Sequence, residues 1–187
     1  MADGLLQLPN GGLDDGAVGL RPYRLADVPL LLAGAQDPDV VRFAFVRWAA
    51  DTPEQLAKRI EHDWPAAAQE GRLLNCAIRD AVTDELLGHL VLFGVDRTAG
   101  RAEVGFWLRP EARGRAVTRR VLELVCRWAF DELGLARVQA TTDIENVASQ
   151  RTLENARFQR EGILRSYYPK PVGGRADNVM YSRLRGE

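Results

Sequence analysis

The run Arg109-Pro110-Glu111-Ala112-Arg113-Gly114-Arg115-Ala116-Val117-Thr118-Arg119-Arg120 constrains this chain more than any other segment. It joins a strand-like stretch, Arg101 to Leu108, to an amphipathic helix. Val117, Val121, Leu124, Val125, Trp128 and Ala129 mark that helix by their three-and-four spacing, and Gly134 supplies a C-cap. The helix start has no good N-cap residue and gathers four arginines, Arg113, Arg115, Arg119 and Arg120. A helix N-terminus already carries unpaired N–H groups and partial positive charge. Arginines there are unfavourable unless an anion binds them, so the run predicts a phosphate-bearing ligand at this turn. Gly114 lets the backbone turn tightly. Residues Arg115 to Thr118 can then aim N–H groups at the anion, with the arginines adding charge-assisted contacts. The bland alternative is an exposed arginine-rich turn. No Gly-Lys-Ser/Thr follows, so this is not a Walker phosphate loop, and the glycine spacing is not that of a dinucleotide fingerprint.

The rest of the pattern alternates strands and helices. Val18 to Tyr23 reads as a strand, and Asp27 can cap a helix reaching about Gln36. A loop with Val40, Val41, Phe43, Phe45, Val46 and Trp48 follows. Thr52-Pro53-Glu54-Gln55 opens a second helix through a capping box, with Pro53 in the first helical position, and that helix ends near Gly71. Leu74 to Arg79, Leu86 to Phe93 and Arg101 to Leu108 read as strands. Their short polar connections predict antiparallel pairing. The amphipathic helix then carries the chain to a strand at Arg137 to Thr142, which predicts a parallel crossover. A short helix, Val147 to Ala156, precedes two closing strands, Phe158 to Leu164 and Val179 to Leu184. Arg165 to Asp177 between them, with Pro169, Pro171, Gly173 and Gly174, reads as a loop. The order predicts a mixed α/β fold, α+β in style, with a central mostly antiparallel mixed sheet flanked by helices. The 187 residues suit one domain over 18–187, behind a Gly- and Asp-rich flexible N-terminal tail over 1–17.

Several classes are disfavoured. A net charge of −1 argues against a dedicated nucleic-acid binder. No apolar run is long enough to span a bilayer, which argues against membrane residence. Cys76 and Cys126 sit in apolar patterns and read as reduced core thiols of a cytoplasmic protein. His62 and His89 form no ligand cluster with them, so no metal is expected.

Two further features carry chemistry. Asn146 and Ser149, three apart beyond a strand, can face one groove, although taken alone helix capping by Asn146, with Ser149 on the first turn, is the better reading. Glu103 lies in the strand before the anion turn, on one face with Gly105 and Trp107. A partly buried carboxylate there could serve as a general base. The plain alternative is a cross-strand ion-pair partner.

From about Leu20 to Leu184 the chain resembles the GNAT N-acetyltransferases, in the branch that includes the ribosomal-protein-alanine acetyltransferases. The resemblance rests on Leu20-Arg21-Pro22-Tyr23, on Glu103 to Pro110, on the acyl-CoA turn Arg113-Gly114-Arg115-Ala116-Val117-Thr118, and on Asn146 to Ser149. Arg157-Phe158 stands where the family has Gly-Phe, with Gly162 following. The chain departs from the motif at Ala116 and Thr118, where smaller residues are usual, and at Arg157. The resemblance implies a GNAT-like acyl-CoA N-acyltransferase fold with acetyl-CoA as cosubstrate. The amine acceptor would be a protein N-terminus or a small molecule, and homodimers are common among similar proteins. It implies that backbone N–H groups from about Arg113 to Thr118, continuing to Arg119, hold the pyrophosphate. The pantetheine arm would lie along Phe106, Trp107 and Leu108, with Asn146 bonding it. A backbone N–H near Leu108 would polarise the acetyl carbonyl. Glu103 would act as base, usually through water, and Ser149 would help protonate the leaving thiolate. The other reading of these residues is a non-catalytic acyl-CoA-binding or interaction domain.

Overall fold

The computed structural model describes residues 4–9, 11–170 and 173–187. Among these, eight strands form one sheet: β1 Leu13–Asp14, β2 Val18–Arg21, β3 Leu73–Asp80, β4 Leu86–Asp96, β5 Arg101–Leu108, β6 Arg137–Asp143, β7 Gln159–Pro169 and β8 Arg175–Leu184. Their order is β1-β2-β3-β4-β5-β6-β8-β7. All neighbours are antiparallel except β5 and β6. The exception follows from the connection: the long helix α5, Val117–Asp131, must return the chain to the same edge of the sheet.

The sheet is covered unequally. On one face α5 buries Val117, Val121, Leu122, Val125, Trp128 and Ala129 against Val104, Val138 and Ala140, and Leu153 of α6, Val147–Asn155, joins them. On the other face lie α1 Val28–Ala35, α2 Pro38–Phe43, α3 Pro53–Lys58 and α4 Trp64–Gln69. They enclose an aromatic cluster in which Trp48, Trp64 and Trp107 pack around His89. Burial pushes the His89 imidazole down to about 3, so it stays neutral, and its Nδ1 lies 2.7 Å from the Tyr23 hydroxyl. This cluster fixes β5 from beneath through Trp107. Burial also pushes both thiols, Cys76 and Cys126, up to about 12, and both are free.

Local signals explain most boundaries. Thr52 and Gln55 form the reciprocal capping box, at 3.3 and 2.8 Å. A wide π turn, Arg59–Asp63, links α3 to α4. Pro65 in the next turn has no N–H to return to residue 61, and widening the helix relieves its ring clash. The segment after Gln36 is helical where a loop was expected: Asp37 accepts from the N–H groups of Asp39 and Val40, and Pro38 opens α2. Asp27 precedes α1, but its carboxylate does not cap that helix; it binds the Arg21 guanidinium instead.

The expected free tail is tied down where it is described. Leu6 and Leu8 are buried in the core, the Leu6 N–H bonds Ala68 O, and β1 pairs with β2. Gly and Asp enrichment concealed two leucines with an apolar slot to fill. The last two strands are longer than expected and take much of the stretch read as a loop. Pro171 lies outside the described residues.

Candidate active site

The sheet opens where β5 leaves β6. β5 pairs with β4 along its length, from Glu103–Phe93 to Leu108–Gly88, but with β6 only at Arg101, Ala102 and Glu103. The Arg109 N–H donates to Leu87 O at 2.9 Å, which fixes the hydrogen-bonding parity of this pair. Trp107 and Gly105 therefore turn their main-chain groups toward β4. Phe106 and Leu108 turn theirs toward the gap left by β6. Of the three strand residues expected to hold a ligand, Trp107 lends no main-chain group, and its ring is buried. One gap-facing group is already used: Leu108 O accepts from the Arg113 guanidinium at 3.2 and 3.3 Å. The Phe106 N–H and C=O and the Leu108 N–H remain directed at the gap.

The chain then passes a short 3-10 turn, Pro110–Ala112, into the start of α5. Gly114 has φ +74°, which only glycine adopts freely, and an added Cβ would meet open space, so the backbone angle alone sets its identity. Ala116, the N-cap, holds φ +56° and offers no side-chain cap. It adopts left-handed backbone where the resemblance expects glycine, at a strain of about 1 kcal/mol. Among the described residues no acceptor takes the N–H groups of Gly114, Arg115, Ala116, Val117, Thr118 or Arg119. The Arg113 N–H returns to Pro110 O at 3.2 Å, so it does not join this row, and the Arg120 N–H reaches Ala116 O at 3.3 Å.

The arginines behave differently from the expectation that they await an anion. Arg113 binds Asp37 and Asp39 at the start of α2, and Arg120 binds Asp15 at 2.7 Å. Arg119 pairs with Glu123 at 3.2 Å, and Arg115 lies 3.9 Å from Asp80. Acidic side chains from four different places neutralise the turn. At this turn the guanidinium groups have carboxylate neighbours, whereas the row of backbone N–H groups has no acceptor among the described residues.

Parallel strands end at the same edge of a sheet, so the segment after β6 opens beside the end of β5. Asn146 caps α6, its Oδ1 accepting from the Ser149 N–H at 3.0 Å, which is the simple reading of that pair. Both side chains are half-buried, and the Ser149 hydroxyl is not used by the cap.

Glu103 is the last residue of β5 to pair with β6. Its carboxylate accepts from Thr141 Oγ1 at 3.0 Å and Gln139 Nε2 at 3.4 Å, both neutral donors on β6. Above this part of the sheet Phe45 stacks on Tyr168, with centroids 5.9 Å apart, and Tyr167 meets Tyr168 edge-on at 4.8 Å. Glu145 ties the same mouth together through Arg42 at 3.1 Å and Lys170 at 3.7 Å. Trp48, from the same loop region as Phe45, is buried in the aromatic core. A cleft of about 330 Å³ lined by Arg127, Arg157 and Arg183 lies elsewhere. Arg127 is ten residues along α5 from its start, roughly 15 Å from the turn. The acidic partners Asp37 and Asp39 and the donor Thr141 were not singled out in the sequence. Only Asp37, in an Asp-Pro pair, carried a visible signal.

A split mixed sheet with free amides at the mouth of the split defines an acyltransferase of the GNAT type. The acetyltransferase (GNAT) domain family matches residues 17–159, and the chain belongs to that family. "Uncharacterized N-acetyltransferase p20" of Bacillus licheniformis is 29% identical over 168 residues, spanning 90% of this chain and 93% of that protein. Among solved structures, "Mycobacterium smegmatis RimJ in complex with CoA-disulfide" superposes with TM-score 0.80 at 23% identity, covering 90% of this chain and 82% of that one. The ribosomal-protein-S5-alanine acetyltransferase of Vibrio fischeri gives TM-score 0.81 at 17% identity, covering 95% and 98%. At those identities the two structures establish the fold, and the family match establishes an acetyltransferase.

Proposed function

We propose that this acetyltransferase moves the acetyl group of acetyl-CoA directly onto a primary amine, either a protein N-terminus or a small molecule. One observation supports this most: the open edge of β5 is followed, after the short turn Pro110–Ala112, by six amides at the start of α5 that have no acceptor among the described residues. A pantetheine arm presents amides that can pair with a strand edge, and its pyrophosphate suits a helix N-terminus. The CoA neighbour named above supports the same donor, and the S5-alanine neighbour supports an N-terminal amine acceptor.

In this reading the Leu108 N–H polarises the acetyl carbonyl while the amine nitrogen attacks its carbon. The carbon–sulfur bond then breaks and the electron pair leaves with CoA as thiolate. Glu103 receives the amine proton. Three to five residues of strand separate it from Phe106 and Leu108, roughly 10–16 Å, so the proton travels through water. The Ser149 hydroxyl protonates the thiolate. The Asn146 Oδ1 is occupied by the cap, which leaves its Nδ2 to bond the pantetheine arm. A cytoplasmic setting fits two buried, free thiols.

Calorimetry with acetyl-CoA and a thiol-release screen over N-terminal peptides and small amines test this reading. Glu103→Gln and Ser149→Ala should each slow turnover at least tenfold. Binding without thiol release above background for every amine would favour the non-catalytic acyl-CoA-binding reading. No binding at high micromolar acetyl-CoA would end both.

A further inference from the structure

The arginines at the start of α5 each face a carboxylate. A second group of arginines, toward the other end of that helix, does not. A cleft of about 330 Å³ opens between the second half of α5, the turn after α6 and the end of β8. Its walls carry Arg127, Arg157, Arg183 and Arg185 against Glu123 and Asp131. The guanidinium groups outnumber the carboxylates, and both carboxylates are poorly placed to neutralise them. Glu123 accepts from Arg119 at 3.2 Å, and Asp131 lies 3.9 Å from Arg185, whose guanidinium donates to Phe130 O. Arg127 lies one helical turn from both acids, yet among the described residues neither it nor Arg157 has a carboxylate within ion-pair distance. Arg183 donates to Ala156 O and Glu187 O, each at 3.2 Å, and its Nε is buried with no acceptor among the described residues. A buried N–H of a charged group is costly to leave unmatched.

Arg157 is the stronger sign. It closes α6 in a Schellman turn: the Phe158 N–H returns to Leu153 O at 2.9 Å and the Arg157 N–H to Glu154 O at 3.0 Å. That turn requires a left-handed residue, and Arg157 holds φ +65°. Glycine adopts this backbone freely and arginine does not. The side chain does not serve the helix end, because the Ala156 carbonyl is taken by Arg183 and the Arg157 guanidinium bonds no main-chain carbonyl among the described residues. An unfavourable backbone angle at a residue whose side chain lines a cleft points to a role for that side chain.

We infer that this cleft is a binding site for the phosphate groups of a small oligophosphate, separate from the acyl-CoA turn. Guanidinium forks from three different elements converge there, and adjacent phosphates supply the acceptors that planar forks bond in pairs. The volume is that of a small-molecule site. Glu123 and Asp131 interrupt the basic surface, and the chain has a net charge of −1, so a nucleic-acid strand is the poorer fit. Arg127 is roughly 15 Å from the turn along α5, so the two sites fill independently. The inference does not depend on the acetyl-transfer reading.

Calorimetry with inorganic pyrophosphate tests it, with the turn filled by one equivalent of CoA. Pyrophosphate should bind. Arg157→Gly and Arg127→Ala should each weaken it about tenfold or more. Arg157→Gly should leave the urea midpoint unchanged or raise it, because the backbone relaxes, which separates a binding role from a structural one. Arg72→Ala, which removes an exposed arginine paired with Glu70, should leave the affinity unchanged. ADP titrated in the same way separates the sources: affinity at least about fivefold above that of pyrophosphate assigns a nucleotide, and equal or weaker affinity assigns a free oligophosphate. No binding at millimolar pyrophosphate, loss of binding on adding the equivalent of CoA, or undiminished binding to Arg157→Gly would overturn the inference. An RNA oligonucleotide that binds more tightly than ADP and is lost in both cleft variants would overturn the choice of ligand.

Discussion

Arg21 and the arginines around the start of α5 carry the same charge under opposite conditions. The Arg21 side chain is 5% exposed. Its guanidinium binds both Asp27 oxygens at 2.7 and 2.9 Å, Asp84 Oδ1 at 3.0 Å, and the carbonyls of Pro22 and Asp84. Every donor of that fork has a partner, and the Asp27 bond leads the effects that raise its pKa. At the turn, Arg119 and Arg120 are 45% and 36% exposed, each on one carboxylate. There each side chain has a carboxylate partner through one N–H, and the backbone N–H groups have no acceptor among the described residues. The contrast separates structure from function: a buried charge with complete hydrogen bonding locks elements together, whereas a row of unpaired amides between neutralised side chains is a place for something to bind.

The largest test of this contrast is Arg21→Leu. It strands Asp27, itself 5% exposed, without its counter-ion, and should cost about 3–5 kcal/mol in urea unfolding. A loss below about 1 kcal/mol would mean that the buried pair contributes nothing specific. Gly114→Val comes next. Its φ of +74° disfavours a branched side chain by about 1–2 kcal/mol, and the distorted amides should bind CoA about tenfold more weakly by calorimetry. Arg119→Ala should do far less. The i,i+4 pair contributes about 0.5 kcal/mol or less, and CoA affinity should change less than about threefold if the backbone does the binding. A tenfold loss would return the site to the guanidinium groups.

The smallest effect is one of pH. Asp15 is held at about 2, below its ordinary 3.8; burial opposes this, and the bond from Arg120 with the Val18 and Ala17 N–H groups outweighs it. A carboxyl depressed in the folded state stabilises fully above its unfolded pKa, and that contribution is lost as pH falls toward 2. Arg120→Ala should therefore lower stability above about pH 4 and flatten the fall between about pH 4 and pH 2, so that variant and parent converge at the acid end. An unchanged acid slope would show that the Asp15 pair is only a surface contact.

Much of the fold was legible because its signals are local. The spacing from Val117 to Ala129, the Thr52–Gln55 capping box and the short turns between β3, β4 and β5 each depend on residues near in sequence. The N-terminal leucines were hidden because their partners, such as the Ala68 carbonyl, lie far along the chain. α2 was missed for a different reason: six residues are too few to display a helical period, although Asp37-Pro38 carried its capping signal.

The sequence by itself determined that a strand, an uncapped arginine-rich turn and a helix follow one another, and that Glu103, Asn146 and Ser149 flank them. Periodicity and capping are properties of neighbours, so they survive without coordinates. Only the tertiary structure decided that β5 parts from β6 after Glu103, that β8 enters between β6 and β7, and that the arginines are claimed by Asp15, Asp37, Asp39 and Glu123. Pairing across tens of residues depends on which surfaces meet, and a charge far along the chain can neutralise a turn that looks empty in the sequence.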